Sequence, residues 1–513
     1  MRNAFRRHIH LGQSGSDTRP EEIRCVIQLD VGEQKGAEIT NAAHRALRTI
    51  PRRACRKMEP AELPTRYLDI GCRDNDRIKV VTSQVGEKGT YACLSHCWGG
   101  KSICTLTSDT GPRFSKAVPP RLLPTVFKDA ITICRKLGFQ RIWIDSLCIQ
   151  QDNREDWMCE APKMGQYYSN CTICIAATSS ADSNGSLEPE PRPSAVRSQE
   201  IANSSLVSHP THLLQYKPHF SHTRDPRSLL DPFPLFTRAW VLQERLLAPR
   251  TLHFCRTEVA FECSESRTCE CGAFSKNVWD IGERPPNTFI RYTFSSNDGL
   301  ICRRKPLVIL PWPELVSTYS LLDLTHKTDR LLAISGIAPI MATIHGWKGE
   351  YFAGLWQHRL ASDLMCRPVE RRQRPTQYIA PSWSWASVLD QVQYLREDRE
   401  YLFDVLDARV NLVSKHEPFG AVKEGCYLRL RGKTVASSWT KRPGRNSDPH
   451  SNSDQFILAD VVGTQLLDND DTKGLQDKGP LFERIGMVEY GNRRNGVYNK
   501  DPNEFEEKEI FLI

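Results

Sequence analysis

Three acidic residues lie where a carboxyl group needs a reason to leave water. Asp145 sits among Ile142, Trp143, Ile144 and Leu147, so it either does chemistry or caps the element that follows. Glu160 lies on the next predicted helix, and Glu244 closes the block Arg238-Ala-Trp-Val-Leu-Gln-Glu244, able to enter a cleft or to pair with Arg238 or Arg245. A desolvated carboxylate can take up a proton or stabilise a developing cation, and it can equally be half of a structural ion pair. Ser95-His96-Cys97 offers nucleophiles, yet strand neighbours point to opposite faces and no Gly-x-Ser-x-Gly elbow is present. Trp98-Gly99-Gly100 better suits a turn whose backbone N–H groups approach a phosphate. His253, Cys255, Cys263, Cys269 and Cys271 are the metal-like cluster, but they lack the usual zinc spacing, and no metal is expected.

These residues need elements to position them. Tyr91–Cys97 reads as a buried strand stopped by glycines. After Pro124, Phe127, Ala130, Ile131, Cys134 and Leu137 recur at helical spacing up to Gly138, predicting a helix of about four turns. Arg141–Ile149 reads as a second strand, Trp157, Ala161, Met164 and Tyr168 as a second helix, and Thr172–Ala177 as a third strand. That alternation predicts an α/β fold with a parallel, doubly wound sheet, whose ligands bind outside the carboxyl ends of the strands. There lie Ser95 to Gly100, Asp145 to Gln151, and Thr178 to Ser180. Further on, Phe236–Leu247 is amphipathic, Thr251–Cys255 and Val259–Cys263 look like paired strands, and 329–336 and 351–365 read as short helices.

Three blocks in order resemble the fungal heterokaryon incompatibility (HET) domain: Leu94-Ser-His-Cys-Trp-Gly99; Ile142-Trp-Ile-Asp-Ser-Leu-Cys-Ile-Gln150 with Asp156-Trp157; and Arg238-Ala-Trp-Val-Leu-Gln-Glu244. Ala380-Pro-Ser-Trp-Ser-Trp-Ala386 resembles a segment that commonly follows this domain. The resemblance implies an effector of non-self recognition after fungal cell fusion that promotes programmed cell death. It also implies a TIR-like, flavodoxin-like sheet, and hence NAD as a substrate, with no cofactor required. Cleaving the nicotinamide glycosidic bond would call on Asp145, Glu160 or Glu244. Glu160 is close in topology to the catalytic glutamate of TIR domains, and Ser95, His96, Trp98, Gly99, Gly100, Arg238, Trp240 and Gln243 would hold the nucleotide. The alternative is a non-enzymatic module that works through protein partners or self-association.

The 513 residues, 39% hydrophobic and 25% charged, exclude both a disordered chain and a small stapled scaffold. The expected divisions are a basic arm at 1–62, the HET domain at 63–275 with a loop insertion at 182–234, a mainly helical mixed α+β region at 276–395, and a β-rich module at 396–513. Residues 1–57 carry 12 Lys and Arg against 6 Asp and Glu, most of the chain's net +8. That arm offers nucleic-acid binding as a weaker, second alternative, since it carries no aromatic platform. With no run of about 20 apolar residues and no secretory signal, a cytoplasmic protein without membrane contact is expected. Most of the 18 Cys sit singly in apolar runs and read as reduced core thiols.

Overall fold

The computed structural model describes residues 60–188, 233–269, 311–434 and 506–512, except 74–75, 101–103, 257–258, 264–266, 370–374, 395–402 and 416, and also 455–457, 481–482 and 488–490. Most of the basic arm and of the 182–234 insertion, Cys271 and a loop expected at 441–454 lie outside the described residues.

Eight strands form the main sheet: β1 (Arg66–Asp69), β2 (Lys79–Thr82), β3 (Ala92–Ser95), β4 (Arg141–Trp143), β5 (Ile173–Ala176), β6 (Arg250–Phe254), β7 (Val259–Cys263) and β8 (Arg267–Cys269). Their order is β8-β7-β6-β5-β3-β4-β1-β2. The centre β4-β3-β5-β6 is parallel, whereas β1 and β2 on one side and β7 and β8 on the other run antiparallel. The sheet is therefore mixed, which corrects the expectation of a parallel one. For three of the four antiparallel pairs the reason is connection length: β1–β2, β6–β7 and β7–β8 are joined by short links, which permit only antiparallel pairing, while each parallel step in the centre has helices or a long segment to cross with. The expected strand pair at 251–263 thus extends the main sheet.

Besides a single turn at Gly111–Phe114, the helices that accompany the centre are α1 (Thr125–Lys136), α2 (Asp145–Cys148), α3 (Arg154–Glu160), α4 (Met164–Asn170) and α5 (Ala239–Leu247). In α1 the spacing does what it predicts: Phe127, Ala130, Ile131 and Cys134 are buried, and Gly138 takes the left-handed φ of +85° just past the end. The chain steps from β3 to β4 in one direction, then back across β3 to β5. Right-handed crossovers place α1 on one face and α3 to α5 on the other. The long strand expected over Arg141–Ile149 is corrected: it stops at Trp143, and Asp145 opens the single turn α2. The helix expected from Trp157 to Tyr168 is likewise two helices.

Past the sheet, α6 (Trp312–Tyr319), α7 (Leu332–Ser335) and α8 (Ala338–His345) precede a hairpin of Tyr351–Phe352 with Leu355–Trp356. This hairpin replaces the start of the helix expected at 351–365. Ala353 and Gly354 take φ of +46° and +102°, and the Gly354 carbonyl accepts from both Trp312 Nε1 and Trp385 Nε1 at 2.9 and 3.0 Å. A four-stranded sheet follows, ordered Phe403–Arg409, Tyr427–Thr434, Glu506–Leu512, Leu481–Phe482. Among the described residues no helix is long and apolar enough to cross a membrane.

Candidate functional site

The chain reverses its direction of strand addition at β3, and the crevice between the carboxyl ends of β3 and β5 is where such sheets take ligands. Ser95 ends β3, and His96 follows it on the opposite face. On the α1 side, the His96 ring meets Phe127 edge-on at 5.0 Å, and His96 Nδ1 lies 3.8 Å from Asp145 Oδ1. Asp145 reaches this place because β4 ends beside β3. Trp98 Nε1 donates to Asp145 Oδ2 at 2.7 Å, and the Ser146 N–H donates to Oδ1 at 2.7 Å. The carboxylate is thus both a local cap and the partner of Trp98, with its side chain 20% exposed.

On the other face, Ser95 and Cys97 lie beside Glu244 of α5 and Tyr168 of α4. Glu244 is buried, and burial pushes its carboxyl up to about 7, with Asp145 reinforcing the shift and Ser95, Arg238 and Tyr168 opposing it. Ser95 stands close to Glu244 without a well-aligned bond. Ser95 Oγ, Glu244 Oε2 and, across the strand end, His96 Nε2 are buried without a hydrogen-bond partner among the described residues. Each such atom costs about 1–3 kcal/mol. Burial, aided by Arg238, lowers the His96 pKa, so its imidazole is held neutral.

The site is framed from the insertion as well. Ser183 is fully buried, its Oγ donating to Cys97 O at 3.1 Å, and its carbonyl accepts from Val126 N. Gly99 has φ +76°, and a Cβ there would stand 2.3 Å from Asp182 Cβ. The described ends of the insertion are therefore packed structure rather than surface loop. Tyr168 and Ser183 escaped sequence reasoning: the first read as an apolar helix position, and the second lay in a segment of turn formers.

Other candidates fall elsewhere. Glu160 lies toward the β1 edge, where Thr65 Oγ1, Lys163 Nζ and Tyr167 Oη donate to it at 3.0, 2.9 and 2.7 Å. Both of its carboxylate oxygens are engaged in these contacts. Trp240 Nε1 donates to Asp329 at 3.3 Å, and Gln243 Oε1 accepts from Gly336 N at 3.3 Å, so both join α5 to the 329–336 segment. His253 is committed through Nδ1 to Thr178 Oγ1 and through Nε2 to Glu262, both at 3.1 Å. Among the described residues no group of three or more His, Cys, Asp or Glu could hold a metal ion. Cys93, Cys134, Cys148 and Cys174 are buried thiols.

Residues 91–244 match the family described as heterokaryon incompatibility protein (HET). The chain carries a HET domain. The match indicates involvement in heterokaryon incompatibility, and its span holds Ser95, His96, Asp145, Arg238 and Glu244, every residue of the crevice. The HET match begins after β1 and β2 and stops short of β6, β7 and β8, so five of the sheet's eight strands lie outside it. No curated protein and no solved structure matches the chain.

Proposed function

We propose that this HET-domain protein is an effector of fungal non-self recognition that promotes cell death by cleaving the N-glycosidic bond of NAD. The observation that carries the reading is that Asp145 and Glu244, distant in sequence, lie within electrostatic reach of one another at a strand end whose buried Ser95 Oγ, His96 Nε2 and Glu244 Oε2 have no hydrogen-bond partner among the described residues. In this cleavage the ribose–nitrogen bond breaks with its electron pair going to nicotinamide, which leaves neutral, while the positive charge passes to the ribose. The Asp145 carboxylate, oriented by Trp98, stabilises that cation. Water then attacks the ribose carbon and loses a proton, and Glu244, titrating at about 7, accepts it.

Asp145→Asn keeps the size and the Trp98 contact but removes the charge. NAD consumption by the folded variant should fall on the order of 10²–10³-fold. Undiminished consumption would remove Asp145 from the mechanism. A second reading, an assembly module without chemistry, is favoured by the burial of Ser95, His96 and Glu244, none more than 6% exposed. Absence of NAD loss by wild type at high concentration would select it.

A further inference from the structure

Arg238 makes no side-chain hydrogen bond or ion pair among the described residues, although it is only half-buried and stands in the field of Glu244, His96 and Cys97. Its backbone is held firmly. Arg238 N donates to Leu235 O, Asp323 N to Thr237 O and Ala239 N to Asp323 O, while Leu235 N reaches Thr178 O just past the end of β5. Leu235 and Val241 pack against Cys97 and Ala176. Arg238 therefore stands over the crevice between β3 and β5.

The rim next to it is rich in donors. Among the described residues, the backbone N–H groups of Trp98, Gly99 and Gly100 meet no backbone acceptor, and a Cβ at Gly100 would meet nothing within 4 Å. Deeper in the crevice the charge is reversed, with Asp145 and Glu244 opposing any bare anion. Such a division fits a ligand with an anion at one end and a cationic or neutral centre at the other. Resting on the functional reading above, we infer that Arg238 is the specificity-determining residue of this crevice. It seats a phosphate group of the substrate at the rim, so the site takes phosphate esters of a nucleoside rather than the nucleoside itself. A guanidinium with no internal partner is free to make a forked bond to phosphate.

The test titrates the full chain with ADP-ribose, which carries the phosphates but not the bond to be cleaved, beside NAD and nicotinamide riboside as substrates. Wild type should bind ADP-ribose and consume NAD in preference to the riboside. Arg238→Gln should weaken ADP-ribose binding at least tenfold and level that preference, with an unchanged melting temperature, because no internal bond is lost. Arg238→Lys, which keeps the charge without the fork, should fall between and decides the matter if the glutamine variant does not fold. Equal binding by wild type and both variants, or no binding by wild type, overturns the inference. The two readings fail separately. ADP-ribose binding that depends on Arg238 without NAD loss removes the cleavage reading and keeps the seat, whereas NAD loss indifferent to Arg238→Gln removes the seat and keeps the cleavage.

Discussion

Glu160 and Glu244 are buried carboxylates of one type with opposite surroundings. Three donors hold Glu160, so Glu160→Gln should cost about 1–3 kcal/mol of stability, read as a lowered melting temperature. Glu244 is the reverse case: burial raises its folded pKa to about 7 from an ordinary 4.5. Across that window the folded chain keeps a proton that the unfolded chain has released, so this residue's contribution to stability falls as pH rises. The full effect is on the order of 3 kcal/mol. Glu244→Gln, which has no charge to desolvate, should therefore gain stability over wild type between pH 5 and pH 8; an unchanged difference in melting temperature at the two pH values would contradict the shift. His96 works in the opposite direction. Its folded pKa lies below 6.5, so the unfolded chain takes up a proton first and stability is lost as pH falls below that value.

Elements explain which part of this was legible. The α1 helix could be read from spacing alone because its buried residues recur on one face between Pro124 and Gly138. The run Ile142–Ile149 could not, since an apolar strand and a single buried helical turn share one composition, and only the backbone shows Asp145 turning the corner. The hairpin at 351–356 was hidden for a similar reason: Leu and aromatic residues at helical spacing outweigh one glycine. As for the crevice, Ser95, His96 and Asp145 were visible as polar residues at strand ends, but their meeting with Glu244 depends on strand order and on α5 crossing behind β3. Glu160 follows Asp145 closely in sequence, yet α3 carries it to Thr65 at the β1 edge. The α4–α5 face has its own weak point. A Cβ at Gly165 would lie 2.9 Å from Gly336 Cα and 3.3 Å from Leu247 Cδ1, a contact with backbone that cannot yield. Gly165→Ala should cost about 1–3 kcal/mol in a thermal melt.

At the scale of the whole molecule, one hydrophobic cluster runs from Leu63 to Leu512 and includes α5, α6 and the tryptophans Trp312, Trp356, Trp383 and Trp385. The outer side of α5 is covered by residues well beyond the HET match, through Trp240 with Asp329 and Gln243 with Gly336. A chain ending at residue 275 should therefore lose the cover of α5 and unfold without a cooperative transition, checked by near-UV circular dichroism during a melt. A cooperative melt would mean that the sheet stands without its C-terminal cover. The central claim is that the carboxylate working with Asp145 is Glu244 rather than Glu160. The most direct measurement is NAD consumption at pH 7 by the full chain, with Glu244→Gln and Glu160→Gln compared below the melting temperature of either. The account predicts that Glu244→Gln abolishes turnover while Glu160→Gln retains it; loss confined to Glu160→Gln, with Glu244→Gln fully active, would contradict it.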